Sequence, residues 1–350
     1  MENYSVVKTA RKYGIDLLRI VCMFFVLTIH ITGPILENTT DISYWVIFLI
    51  KMFCICAVNC YAIISGYVGV DSKKRISSLI NLWFTVMFYT STIAVVLYFA
   101  SPGIIEFEDL IKGFFPVSSV QYWYFSSYFL LFFLTPLINA FFDNSNKNKQ
   151  NTVLLAVLIM SFTGSLLNAV DKLWAMNEGY SAFWLFVMYY LGAYLKKNPI
   201  NCNLRWFKLY IFCVALIYGS EVLAFYLDEK FFGIASSYTS PINVLAAVSL
   251  FMYFKDLNFS FVIAKLICLI APLSFSVYII HYNKKIWPFL AEKAVSFAEN
   301  NIIIIVFNIL GMAIFVYIAC ILVDYLRFRL FAFLKIKKLS DKFDNKLNAL

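Results

Sequence analysis

The amino-acid sequence predicts an all-α protein, a polytopic membrane helix bundle of about ten transmembrane helices, and three observations carry that expectation. Of 350 residues, 62% are hydrophobic and 14% charged, whereas soluble domains average roughly 45–50% and 25%. Apolar runs of about 17–25 residues recur along the whole chain, each long enough to cross a hydrocarbon core of about 30 Å. Lys and Arg collect in alternate loops between those runs, the pattern that orients helices in a membrane.

Polar breaks divide the chain into spans at Ile15 to Leu36, Tyr44 to Val70, Leu79 to Ala100, Tyr122 to Phe142, Thr152 to Val170, Ser181 to Leu195, Trp206 to Leu227, Ser240 to Phe254, Leu266 to His281 and Asn301 to Val323. The sixth and eighth are short, and complete a crossing with neighbouring aromatic residues or a smaller tilt. Together the spans predict one domain over residues 1–350, with its core at roughly 11–330 and a basic cytoplasmic tail at 331–350. Soluble stretches are too short for a separate catalytic domain.

With the N-terminus in the cytoplasm, inner segments carry Lys8, Arg11 and Lys12; Lys73, Lys74 and Arg75; Lys147 and Lys149; Lys196, Lys197, Arg205 and Lys208; Lys255 and Lys265; and the basic residues from Arg327 onward. Outer segments carry only Lys112, Lys172, Lys230, Lys284, Lys285 and Lys293. Both termini are therefore expected in the cytoplasm. The first run has no A-x-A-type cleavage site and contains Arg19 and His30, so it reads as an uncleaved helix rather than a signal peptide. The outer loop 101–120 mixes Glu106, Glu108 and Asp109 with Ile and Phe, and is expected to lie on the membrane surface as an amphipathic segment.

The net charge of +9 sits between apolar runs, where membrane orientation accounts for it, so nucleic acid is not an expected partner. Cys22, Cys54, Cys56, Cys60, Cys213, Cys268 and Cys320 lie in apolar segments, only Cys202 lies in a polar loop, and there is no C-x-x-C pair. They are read as small hydrophobes, with neither a disulfide framework nor a metal expected.

Ionisable groups inside a bilayer are costly and need a reason. The first span holds Asp16, Arg19 and His30. At ~100° per residue, Arg19 to His30 is eleven steps, within ~20° of whole turns, and Asp16 precedes Arg19 by three, so all share one face. At ~1.5 Å per residue the rise from Arg19 to His30 is about 16 Å, which makes a polar track along the helix. On a structural reading, Arg19 pairs with Asp16 and His30 hydrogen-bonds a neighbouring helix. The second histidine, His281, closes the ninth span near the outer face. Lys51 and Glu221 are expected to snorkel, Asn59, Asn139 and Asn243 to bridge helices, and Lys73, Lys74 and Arg75 to form a solvated cluster facing any anionic ligand arriving from the cytoplasm.

The stretch Gly14-Ile15-Asp16-Leu17-Leu18-Arg19, followed after ten residues by His30, resembles the opening of the acyltransferase family 3 membrane proteins. Ile64-Ser65-Gly66-Tyr67 resembles the end of that family's second helix, and Lys74-Arg75 its basic cytoplasmic motif. Trp123-Tyr124-Phe125 with Thr135-Pro136-Leu137-Ile138-Asn139 resembles its tryptophan-to-proline helix, and Ser274 through Tyr278 to His281 its late Tyr-x-x-His element. The resemblance spans roughly residues 11 to 330. It implies a bundle of about ten helices in a bacterial plasma membrane that moves an acyl group, often acetyl, from cytoplasmic acyl-CoA to a cell-envelope glycan. The likeness is strongest to short surface-polysaccharide O-acetyltransferases. Where many members have a second Arg in the basic motif, this chain has Ser78, and Lys73 or Lys74 substitute only as point charges. No hydrolase-like domain follows the last span, so direct transfer to the acceptor is expected.

Acyl transfer from a thioester to a hydroxyl needs a base for the proton and positive charge or hydrogen-bond donors for the oxyanion. The resemblance implies His30 as that base, Arg19 on the donor side, and Arg75 with Lys73 and Lys74 meeting the phosphates of acyl-CoA. Trp123, Tyr124, Tyr278, His281 and Asp16 are the expected acceptor contacts. A flippase or small-molecule permease without covalent chemistry is the rival class. A polysaccharide polymerase is a further one, but would carry a long, charge-rich outer loop absent here.

Overall fold

Residues 11–72, 76–101, 103, 106–200, 202 and 204–347 are described by the structure, a computed structural model. The elements in order are α1 (Tyr13–Leu36), α2 (Asp41–Cys54), α3 (Ala57–Gly69), α4 (Ile76–Ala100), α5 (Phe107–Phe114), α6 (Trp123–Asn144), α7 (Lys147–Leu166) and α8 (Asn168–Leu173). They continue as α9 (Ala182–Lys197), α10 (Trp206–Leu227), α11 (Pro241–Lys255), α12 (Phe261–Ile270), α13 (Ser274–His281), α14 (Trp287–Val295), α15 (Ile302–Phe333) and α16 (Ile336–Leu347). No strand occurs among the described residues. The protein is an all-α, multi-pass membrane helix bundle.

Each of the ten expected spans is helical, but among the described residues seven helical segments have both the length and the hydropathy to cross a membrane. The second is broken at Ile55–Cys56 into α2 and α3, where the Tyr210 hydroxyl donates to the adjacent Phe53 carbonyl. The tenth runs ten residues past Val323, to Phe333. Part of the expected tail folds back as α16: Ser340 Oγ meets Asn81 Oδ1 at 2.9 Å, and Asp344 Oδ1 accepts the Ile76 backbone N–H at 3.0 Å, capping α4.

The two short spans are α9, with 16 residues, and α11, with 15. At ~1.5 Å per residue each is about 22–24 Å long, less than a hydrocarbon core. Most of α9 is buried inside the bundle rather than facing lipid. It packs backbone to backbone on α3: a Cβ on Gly66 would lie 1.9 Å from the Tyr189 carbonyl oxygen, and one on Gly192 would lie 2.1 Å from that of Ile63. Reciprocal small residues permit that approach, the packing device of membrane helices.

Central to the bundle is α1, which touches α2, α3, α11, α12, α13, α14 and α15. Its polar face is therefore turned to protein, the condition under which intramembrane ionisable groups are tolerated. At the surface, α5 carries a Glu106/Asp109 capping box and leaves Phe107, Ile111 and Phe114 exposed, the amphipathic segment expected of loop 101–120.

Candidate active site

The structure joins the two histidines. Pro272 falls in a 3-10 turn, Ala271–Leu273, that separates α12 from α13, and the Ser274 hydroxyl donates to the Ala271 carbonyl oxygen at 2.8 Å. This short helix ends on His281, 1% exposed, beside His30 of α1.

Their proton positions follow from their partners. His281 Nδ1 lies 2.6 Å from the Val277 carbonyl oxygen, which can only accept, so Nδ1 carries the proton and Nε2 a lone pair. His281 Nε2 lies 2.8 Å from His30 Nδ1, which must therefore donate. Neutral His30 is thus protonated on Nδ1 and keeps its lone pair on Nε2. That nitrogen makes no hydrogen bond among the described residues. The His30 ring stacks on Tyr282, with centroids 3.9 Å apart and planes 18° apart, and meets the Trp287 edge at 5.8 Å.

His30 lines a chamber of ≈ 170 Å³ with Met23, Tyr61, Trp123, Tyr124, Tyr278 and Tyr282, among others. Its far rim is Tyr180 and Tyr238, rings 5.0 Å apart, with Trp123 at 4.8 Å from Tyr180. Tyr180 is exposed and so brings the chamber to the surface. Neither Tyr180 nor Tyr238 was expected from sequence, since both lie in loops without a motif. The bridge role expected of Asn59 holds: it accepts the Trp184 indole N–H at 2.8 Å and donates to the Tyr238 carbonyl at 2.9 Å, fixing that rim. Glu221 departs from the expectation of snorkelling. It is 1% exposed and accepts the Gly233 and Ser236 backbone N–H groups at 2.6 and 2.7 Å, because the following loop folds over it.

At the opposite end a larger vestibule of ≈ 710 Å³ is lined by Arg11, Lys12, Asp16, Arg19, Asp71 and Lys196, among others. Asp16 is shared by two guanidiniums, Arg11 Nε at 2.6 Å and Arg19 Nη1 at 2.8 Å. Asp71 is held by Lys197 at 2.8 Å and Lys196 at 3.8 Å. Among the described residues, four cations on this wall face two carboxylates, so its potential is positive. Lys73, Lys74 and Arg75 lie outside the described residues. Their neighbour Ser72 is on the vestibule wall.

Arg19 and His30 share a helix face but not a cavity. The Tyr61 hydroxyl donates to the Arg19 carbonyl oxygen at 2.6 Å, and Tyr61 and Met23 line the chamber while the Arg19 side chain lines the vestibule. Arg19 to Met23 is one helical turn, about 6 Å, so the partition is thin.

Sequence reading also missed a buried ion pair. Asp324 and Arg327 of α15 meet at 2.6 and 3.0 Å, and the Tyr89 hydroxyl of α4 donates to Asp324 at 2.7 Å. Its i, i+3 spacing was the available signal. This pair ties α15 to α4 and lines neither cavity.

Residues 12–326 match the family described as an acyltransferase domain. No curated protein and no solved structure matches the chain.

Proposed function

Because the chain belongs to acyltransferase family 3, we propose that it transfers an acyl group, acetyl in the simplest case, from acyl-CoA to a hydroxyl of a cell-envelope glycan, with His30 as general base. The observation that carries this reading is the Val277–His281–His30 chain, which leaves a lone pair on His30 Nε2 in a chamber walled by aromatic side chains.

In this reading His30 Nε2 removes the acceptor hydroxyl proton as the oxygen attacks the thioester carbonyl carbon. His281 steadies the imidazolium that forms, since its Nε2 accepts the Nδ1 proton throughout. Collapse of the intermediate breaks the C–S bond, and His30 returns the proton to the departing thiolate. His281 is thus an orienting partner of the base, the role of the third group in a nucleophile–base–orienter array.

The donor reaches this chemistry from the basic end. Charge segregation assigns that end to the cytoplasm, where Arg11, Lys12, Arg19 and Lys196 suit the phosphates of a coenzyme. Lys73, Lys74 and Arg75 are proposed to add to them from the adjoining segment. The long arm of the coenzyme then crosses the one-turn partition at Tyr61. The acceptor enters past Tyr180, Tyr238 and Trp123, whose flat faces suit a sugar ring. Asp16, proposed from sequence as an acceptor contact, sits instead between two arginines in the vestibule, which favours a role in holding the donor-side cations.

The test is transfer from radiolabelled acetyl-CoA to envelope glycan in membranes, with mass spectrometry of the glycan. Wild-type chain should add the acyl group, and His30→Ala should abolish addition while keeping the protein folded. Unchanged glycan chemistry combined with altered uptake would replace this reading by transport.

A further inference from the structure

The chamber contains a buried hydroxyl whose proton has no acceptor among the described residues. Tyr278 is 4% exposed; the Tyr124 backbone N–H approaches its Oη, but the O–H proton has no acceptor among the described residues. A buried O–H proton with no acceptor is costly and calls for an explanation. Packing does not require the hydroxyl, because the ring is held by apolar and aromatic contacts: edge-on to Tyr122 at 5.4 Å, near Phe275 at 6.1 Å and stacked with Tyr282 at 6.0 Å. A phenylalanine would make the same contacts.

The hydroxyl lies where a helix begins. Trp123 and Tyr124 open α6 and line the same chamber. The N-cap Tyr122 makes no side-chain capping bond, the Trp123 and Tyr124 N–H groups have no backbone acceptor among the described residues, and the Tyr124 N–H instead approaches the Tyr278 hydroxyl oxygen. The Tyr122 hydroxyl is instead committed to α13: it donates to the Ile279 carbonyl oxygen at 2.6 Å and accepts from Asn283 at 3.1 Å. This bond clamps the start of α6 to the helix carrying both Tyr278 and His281. The uncapped end of a 22-residue helix presents partial positive charge. It meets the Tyr278 hydroxyl, whose proton is left undonated, in the space that His30 faces.

We infer that the Tyr278 hydroxyl, polarised by the start of α6, forms the oxyanion-binding site of this chamber, the third component of the transfer chemistry beside His30 and His281. The inference rests on the acyl-transfer reading. As the acceptor oxygen bonds to the thioester carbon and its proton passes to His30 Nε2, the carbonyl π pair moves onto oxygen, and Tyr278 donates its hydrogen bond to that oxygen. Reformation of C=O breaks the C–S bond, the thiolate takes the proton from His30, and the Tyr278 O–H is again without an acceptor. A donor held idle in the resting state and satisfied as charge develops lowers the barrier without tightening ground-state binding.

The test compares Tyr278→Phe with wild type in the acetyl-CoA assay. Loss of one such donor should lower kcat about 10²–10³-fold, with KM for acetyl-CoA and acceptor within about threefold. Melting temperature should be nearly unchanged, since phenylalanine keeps the ring contacts. A kcat within about threefold of wild type overturns the inference, as does a loss that tracks a fall in melting temperature or a rise in KM. A second variant replaces Tyr278 by a fluorinated tyrosine, a stronger donor of nearly the same shape. It should keep the wild-type kcat, and activity as low as that of Tyr278→Phe also overturns the assignment. The His30→Ala control separates the two levels. Inactive His30→Ala beside fully active Tyr278→Phe removes the oxyanion role alone, whereas full activity in both removes acyl transfer from this chamber.

Discussion

His30 Nδ1 and His281 Nε2 stand 2.8 Å apart, although 251 residues separate them in the chain, and the Val277 carbonyl at the other end of the His281 ring sets the direction of the bond. The tautomer of the base is thereby determined by a backbone oxygen of α13, two groups away from the lone pair that would take the acceptor proton.

Replacing His281 should then damage catalysis without removing the base. His281→Ala is expected to lower kcat by about 10²-fold or more, with less effect on KM, since a neutral His30 is no longer held in one tautomer. His281→Gln, whose carbonyl oxygen can accept the Nδ1 proton, should recover part of the loss. Equal kcat for wild type and His281→Ala would show that the orientation is not used.

The vestibule makes a charge-dependent prediction. Lys196→Gln should raise KM for acetyl-CoA by roughly 3–10-fold with kcat nearly unchanged, and the difference from wild type should shrink at high salt because the charges face solvent. An unaltered KM at low salt would count against phosphate binding there.

Close contact between α3 and α9 can be tested by stability alone. Gly192→Ala would place a methyl 2.1 Å from the Ile63 carbonyl oxygen, which side-chain rotation cannot relieve. The helices must separate, at an expected cost of about 3 kcal/mol. Thermal unfolding in detergent should detect it, while Gly219→Ala on α10, with open space around the new Cβ, should leave the transition in place or raise it slightly.

Outside the spans, Asp109 of α5 is paired with Lys285 at 2.8 Å. The hydrogen bond from the Lys285 ammonium, with its charge, holds the Asp109 carboxyl below the usual carboxylate range. A depressed folded value means that the tether is fully present above the ordinary Asp pKa of about 3.9 and is lost as pH falls through the lower folded value. Spin labels at positions 111 and 291 should report a constant distance from about pH 8 to about pH 5, with separation only below about pH 4. Asp109→Asn should show the separated distance at every pH. A transition near neutrality would refute the tether as described.

Much of the architecture was legible because hydropathy and charge act locally along the chain. The ten helical segments, the amphipathic α5 and the one-sided placement of Asp16, Arg19 and His30 follow from run length and a 3.6-residue period. The Asp16–Arg19 pair is an i, i+3 contact within one helix, so it too was accessible. The break at Ile55–Cys56 was not, since it leaves the apolar pattern uninterrupted, and the extension of α15 to Phe333 was hidden by Asp324, Arg327 and Arg329, which end the apolar run while the helix continues. Tyr180 and Tyr238 escaped notice because a loop tyrosine acquires meaning only from what it faces.

The sequence by itself determined a membrane bundle with a polar stripe on its first helix, because the cost of burying charge in hydrocarbon is felt residue by residue. Only the packing of remote helices divides the stripe between a basic vestibule and an aromatic chamber, orients His30 by His281, and leaves the Tyr278 O–H proton without an acceptor among the described residues. Those outcomes depend on contacts within hydrogen-bonding distance between helices remote in the chain, and one helical turn of displacement, about 5.4 Å, would abolish each of them.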